Sequence, residues 1–240
     1  MSVPLQGVLT VLLPGTGSDE DYLRRVFAEP LDRVGAVASP VRPVPRDLVT
    51  GYLDALSDAA ADQRIVVGGV SLGAVVAAVW ALANPDRTLG VLAALPPWTG
   101  VPGAAPAAVS ARHTAAELRR SGLAAVTAQM RASSPDWLAA ELSRSWLRQW
   151  PDLPDALDAA SEYVAPTVDQ LSRLQPPMGV AAASDDLLHP IAVAREWVRA
   201  APRAVLRTVQ LDQFGRDPEI LGTACVDALI AAATTNTDAG

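Results

Sequence analysis

Short apolar runs alternate along this chain with longer stretches in which apolar residues recur every three to four positions. Residues 7–15, GVLTVLLPG, are an almost unbroken apolar run of strand length. The next stretch, 18–35, puts Tyr22, Leu23, Val26, Phe27 and Leu31 near one face of a helix that Ser18 or Asp19 would cap. The alternation continues with a strand over 36–43, limited by prolines and therefore placed near a sheet edge, and a helix over 46–61. A strand over 64–70 (RIVVGGV) leads into a helix over 71–85, and a further strand covers 88–98. From 99 to 175 no strand pattern appears. That stretch opens with the Pro/Gly-rich TGVPGAAPAA and continues as several short helices, among them one with Leu138, Leu142 and Leu147 at helical spacing beside Trp137, Trp146 and Trp150. The first pattern then resumes with strands over 176–184 and 203–211 and helices over 189–202 and 217–233.

Buried strands each followed by a helix predict an α/β fold with a parallel sheet and crossover helices. The expected architecture is a mostly parallel six-stranded sheet with helices on both faces. Residues 1–98 and 176–233 form the core, 99–175 a helical lid, and 234–240 a disordered tail. At 240 residues, half of them apolar, the chain is long enough for one substantial core.

Charge narrows the partners. A net charge of −7 argues against a nucleic-acid polyanion, which wants a basic face. All 19 basic residues are arginine, a bias that carries no functional information. One cysteine, Cys225, rules out an intramolecular disulfide and a cysteine-rich zinc site, and its apolar helical surroundings give it a packing role. The N-terminal stretch has no basic leader region and is too short in its apolar part to cross a bilayer, so the expectation is a soluble, cytoplasmic protein.

The strongest chemical signal is Gly69-Val70-Ser71-Leu72-Gly73, a G-x-S-x-G pattern between a buried strand and a helix. Glycines at both ends let strand and helix approach closely, leaving the serine on a sharp turn above the sheet. The backbone amide of Leu72 would then open a helix, where free N–H groups stabilise developing negative charge. A second donor is offered by the Gly-rich turn after the first strand, LLPGTGSDED, through an amide of Gly15, Thr16 or Gly17. The same turn also reads as a plain strand-to-helix loop with Ser18 as a cap, and the two readings are compatible.

On LLPGTGSDED, GGVSLGA, ASDDLLHP and LDQFGRDPE the chain resembles the α/β-hydrolase superfamily over nearly its whole length. The resemblance implies an acid after the strand that follows the lid, four residues before a proline. Asp186 stands four before Pro190, with Asp185 as its neighbour and competitor. It also implies a loop that commonly reads His-Gly where this chain has Pro14-Gly15, a change that a backbone donor survives. In the family the base is a histidine after the last strand. Here that loop reads LDQFGRDPE, with Gln213 near the expected place, and glutamine cannot take up and return a proton.

The chain has two histidines. His189, three residues beyond Asp186, could serve from the loop after the preceding strand. His113 could swing down from the lid, or the site could lack its base altogether. Strand spacing bears on the choice: a serine and a histidine on strands that flank a third are about 9.6 Å apart at the backbone, which their side chains and one hydrogen bond just span. The leading expectation is a serine hydrolase of a carboxylic ester or thioester. Ser71 is its nucleophile, His189 the base, Asp186 the orienting acid, Leu72, Thr16 and Gly15 supply the oxyanion donors, and Trp98 and Trp146 line the substrate pocket. It would need no metal or cofactor and act on a small acyl compound. A non-catalytic binding protein, favoured by Gln213, and an acyltransferase are the alternatives, because fold alone does not fix function.

Overall fold

The computed structural model describes residues 5–234; the expected tail falls outside the described residues except for Thr234. Six strands form one sheet: β1 (Leu9–Leu13), β2 (Val37–Pro40), β3 (Ile65–Val70), β4 (Thr88–Ala94), β5 (Met178–Ala183) and β6 (Ala204–Val209). Their order across the sheet is β2-β1-β3-β4-β5-β6, and every neighbouring pair is parallel. The Pro-limited β2 lies at one edge, as its sequence required.

The four inner strands are apolar at nearly every position because both faces of the sheet are covered there. Along β3, Ile65 and Val67 enter the core on one face while Val66 and Val70 enter the core on the other. Val91 and Ala93 against Leu92 and Ala94 repeat that period of two on β4. One face packs on α2 (Leu48–Ala59), α3 (Leu72–Ala83) and α8 (Ile191–Ala200); the other packs on α1 (Glu20–Asp32) and α10 (Glu219–Thr234). Cys225 is fully buried in α10, its thiol against the Gly179 carbonyl, and burial pushes its pKa up, as a packing role requires.

Between β4 and β5 lie α4 (Pro106–Ser133), α5 (Asp136–Gln149), α6 (Leu153–Glu162) and the short α7 (Val168–Leu171). Leu118, Val126, Trp146, Leu153 and Leu157 give this segment an apolar cluster of its own. α4 consists of two helical pieces that meet at Gly122, whose backbone is not helical (φ 76°, ψ 165°). One feature differs from the pattern-based expectation. The stretch after β6, read as a loop, contains α9 (Leu211–Arg216).

In a parallel sheet all the strands point the same way, so the loops that leave their carboxyl ends collect along one rim. The loops after β1, β3, β5 and β6 meet there, and they carry every residue of the candidate site except the tryptophans.

Candidate active site

Ser71 occupies the turn between β3 and α3 with φ 54° and ψ −117°, a conformation that an L-residue holds only under constraint, at a cost of about 1–3 kcal/mol. The constraint is visible. The Ser71 amide donates to the Ala94 carbonyl (2.9 Å), and added Cβ atoms at Gly69 or Gly73 would both run into the Leu13 carbonyl oxygen. The two glycines thus let α3 start hard against the end of β1. The Ser71 carbonyl accepts from Val75, so the amides of Leu72, Gly73 and Ala74 open the helix with no intrahelical carbonyl to meet. Among the described residues the only other non-glycine with positive φ is Leu95 (φ 52°), at the end of β4 beside the serine.

His189 reaches Ser71. Its Nε2 lies 2.9 Å from the Ser71 Oγ and its Nδ1 2.8 Å from the Asp186 Oδ2. The span works because β3 and β5 flank β4. The loop after β5 is also folded so that Asp186 Oδ1 accepts the backbone amides of Leu188 (2.8 Å) and His189 (3.2 Å). This turn directs the imidazole inward.

Burial raises the Asp186 pKa, but the His189 hydrogen bond, the attraction of the imidazole and the two backbone amides outweigh it, and the net shift is downward. An ionised carboxylate only accepts, so Nδ1 carries the imidazole proton and Nε2 offers its lone pair to the serine hydroxyl. A carboxyl group with a lowered folded-state pKa contributes stability that is present above its unfolded value of about 3.9 and lost as pH falls through the lowered value. The thermal midpoint of Asp186→Asn should therefore lie below that of the wild type at pH 6–7. The gap should close as both are titrated from about pH 5 toward pH 2. A gap that stayed constant over that range would remove the ionised carboxylate from the account.

Asp185 is placed elsewhere. Its Oδ1 accepts the amide of Leu211 at 2.8 Å, so it ties the loop after β5 to the start of α9. His113 is exposed on α4. Gln213 is exposed on α9, where its Oε1 accepts the Gln210 amide (3.1 Å) in a capping box. Trp137 packs edge-on against Phe214 (5.6 Å between ring centroids), so α5 covers the helix where a family histidine was expected.

The loop after β1 faces the serine. An added Cβ on Gly15 would lie 3.3 Å from the Ser71 Cβ. The Ser18 amide donates to the Gly15 carbonyl (3.0 Å) and Gly17 has φ 76°, which makes residues 15–18 a turn of the type that requires glycine at its third position. Such a turn leaves the amides of Thr16 and Gly17 out of its own hydrogen bond. Asp19, the alternative to Ser18, is the residue that caps α1, accepting from Asp21 (3.1 Å) and Tyr22 (3.2 Å). From the other side, the buried Tyr52 hydroxyl donates to the Pro14 carbonyl (3.2 Å), a link with no motif to announce it.

The two tryptophans differ in their surroundings. Trp98 belongs to the core on the α3 face, donating to the Tyr163 carbonyl (3.2 Å), while its own carbonyl accepts from Trp197 (3.2 Å). Trp146 is buried where α5 meets Gly17.

Solved structures share this architecture along nearly the whole chain. An esterase from Thermogutta terrifontis aligns with a TM-score of 0.70 at 18% identity, covering 95% of this chain and 92% of its own. An enol-lactonase from Burkholderia xenovorans LB400 aligns with a TM-score of 0.70 at 16% identity, covering 93% and 92%. A hydrolase from Pseudomonas aeruginosa PA01 aligns with a TM-score of 0.65 at 19% identity, covering 93% and 90%. No family model and no curated protein matches the sequence. No helix among the described residues is long and apolar enough to cross a membrane.

Proposed function

The chain has the α/β-hydrolase fold, and on that premise we propose that it is a serine hydrolase that cleaves carboxylic esters or thioesters through an acyl-serine intermediate. The observation that carries this reading is the continuous hydrogen-bonded line Ser71 Oγ, His189 Nε2, His189 Nδ1, Asp186 Oδ2 on a strained strand-to-helix turn.

Each part has a task. As the Ser71 oxygen bonds to the acyl carbon, its proton passes to His189 Nε2 and the carbonyl electron pair moves onto oxygen. The amides of Leu72 and Thr16 stabilise that oxyanion, with Gly15 letting the loop come close to the serine. When the intermediate collapses, the acyl carbon–leaving group bond breaks and the departing alcohol or thiol takes the proton from His189. Water then repeats the sequence on the acyl-enzyme, with its proton going first to His189 and then back to Ser71, and the free acid leaves. Asp186 holds the tautomer and stabilises the imidazolium throughout.

Exposed Leu187 and Leu188, directly before His189, give the rim of the site an apolar edge that suits a small acyl compound. Trp146, against the proposed oxyanion turn, is better placed to flank the substrate than Trp98, which is taken up by the core. In this reading 99–175 is a lid whose α5 is fastened to α1: Arg144 pairs with Asp19 and Asp21, Arg148 with Asp21, and Glu141 with Arg25. The binding-protein alternative rested on Gln213, and that side chain has a helix-capping task of its own.

Turnover in ¹⁸O-labelled water tests the proposal. An ester should yield acid carrying one ¹⁸O and an unlabelled alcohol, because water attacks the acyl carbon. Label in the alcohol, or no turnover of esters or thioesters, would count against it.

A further inference from the structure

We infer that Ser145 and Gln149 of α5 are positioning residues that orient the oxyanion-binding amide of Thr16; this rests on the reading of Ser71 as the nucleophile. Both side chains are buried, and both donate to carbonyls of the turn after β1, more than a hundred residues away in sequence. Ser145 Oγ lies 2.5 Å from the Gly17 oxygen and Gln149 Nε2 3.0 Å from the Ser18 oxygen.

Peptide planarity links these contacts to the Thr16 amide. A trans peptide unit is rigid, with its C=O and N–H pointing in opposite directions, so fixing one fixes the other. Ser145 holds the Gly17 carbonyl and thereby sets the plane that carries the Ser18 amide. That amide holds the Gly15 carbonyl at 3.0 Å, which sets the plane carrying the Thr16 amide. Two rigid units and two hydrogen bonds thus connect a hydroxyl on α5 to the direction of an N–H beside Ser71.

Three other contacts brace the same turn. Gln149 fixes the next carbonyl along. Trp146 lies so close to Gly17 that an added Cβ would stand 2.8 Å from its Nε1, so the turn and the indole fit only because residue 17 has no side chain. Arg144 donates to both oxygens of the Asp19 carboxylate (2.5 and 3.0 Å), next in sequence to the turn. Residues 144, 145, 146 and 149 span little more than one turn of α5. That helix therefore builds the oxyanion site from above, while β1 and Tyr52 build it from below.

Preorganised donors act only on the charge that develops during reaction, so misdirecting one lowers kcat and leaves substrate binding alone. Ser145→Ala should lower kcat about 10- to 100-fold, the range for a small displacement of a reacting group, and Gln149→Ala should lower it less. KM and the position of the pH–rate profile should be preserved, since neither side chain touches His189 or Asp186. The loss should be the same for short-chain and long-chain p-nitrophenyl esters, whereas a residue that lines an acyl pocket would discriminate between them.

The full-length variants should be compared with wild type by thermal unfolding, ester kinetics and fluorophosphonate labelling. If Ser145→Ala does not fold, Gln149→Ala carries the test. If wild-type protein neither labels at Ser71 nor turns over esters, the nucleophile reading fails and this inference falls with it. If wild type labels and turns over while the folded variants keep its kcat, lose activity only through KM, or lose it in proportion to acyl length, the inference is overturned and Ser71 stands.

Discussion

Ser71→Ala should reduce ester turnover by about 10⁶-fold while leaving the protein folded, and the residue of activity should still exceed the uncatalysed rate by about 10³- to 10⁴-fold. The size follows from what the substitution removes. Without the hydroxyl there is no acyl-enzyme, and His189 has no proton to take. The amides of Leu72 and Thr16 remain, and they continue to favour an oxyanion formed by direct attack of water. Ser71 is partly buried at a turn set by Gly69 and Gly73, and alanine relieves no clash there, so the thermal midpoint should change little. Steady-state kinetics with an activated ester, beside a melting curve, decide the matter.

His189→Ala should be nearly as damaging, costing about 10⁴- to 10⁶-fold in kcat, and the double variant Ser71→Ala/His189→Ala should be no worse than the more severe single one. The two side chains act as one unit through their 2.9 Å contact, so removing the second takes away nothing that still works. The counterpart is Gln213→His. If the base belonged after β6, restoring a histidine there would raise turnover by orders of magnitude. The structure gives the opposite expectation. His189 already occupies the contact with Ser71, and Gln213 is spent on the Gln210 amide at the start of α9. Gln213→His should bring no gain in turnover and should cost about 1 kcal/mol of stability through loss of the cap.

The sequence leaves open which side chain meets the Ser71 hydroxyl, and strand order explains why it is His189. A histidine on the loop after β5 is two strands from Ser71, and the Asp186 turn shortens the remaining distance by aiming the ring inward. That contact was legible: the spacing of about 9.6 Å was countable from the strand pattern, and the three-residue offset put Asp186 and His189 side by side. The preference for Asp186 over Asp185 came from its place four residues before Pro190; the Leu211 amide across the rim, which takes up Asp185, left no local trace.

The strands were easy to place for a related reason. Burial on both faces makes β1, β3, β4 and β5 nearly unbroken apolar runs, and that is a local property of the sequence. Other features lack such a property. The position of the break in α4 comes from a single glycine at φ 76°, indistinguishable in sequence from a tolerated helical glycine. The six-residue α9 owes its place partly to the cover that α5 gives it from Trp137. Ser145 and Gln149 left a faint trace, a polar pair at i, i+4 beside Trp146. Their partners are 128 and 131 residues distant, beyond the reach of any local pattern.

Fluorophosphonate labelling of the folded protein, followed by peptide mapping, tests most directly whether the Ser71 hydroxyl is activated by His189. The expected result is one phosphonyl group per chain, located on Ser71, absent from Ser71→Ala and slowed by several orders of magnitude in His189→Ala. Labelling of Ser71 at the same rate with and without the imidazole, or no labelling of folded wild-type protein, would contradict it.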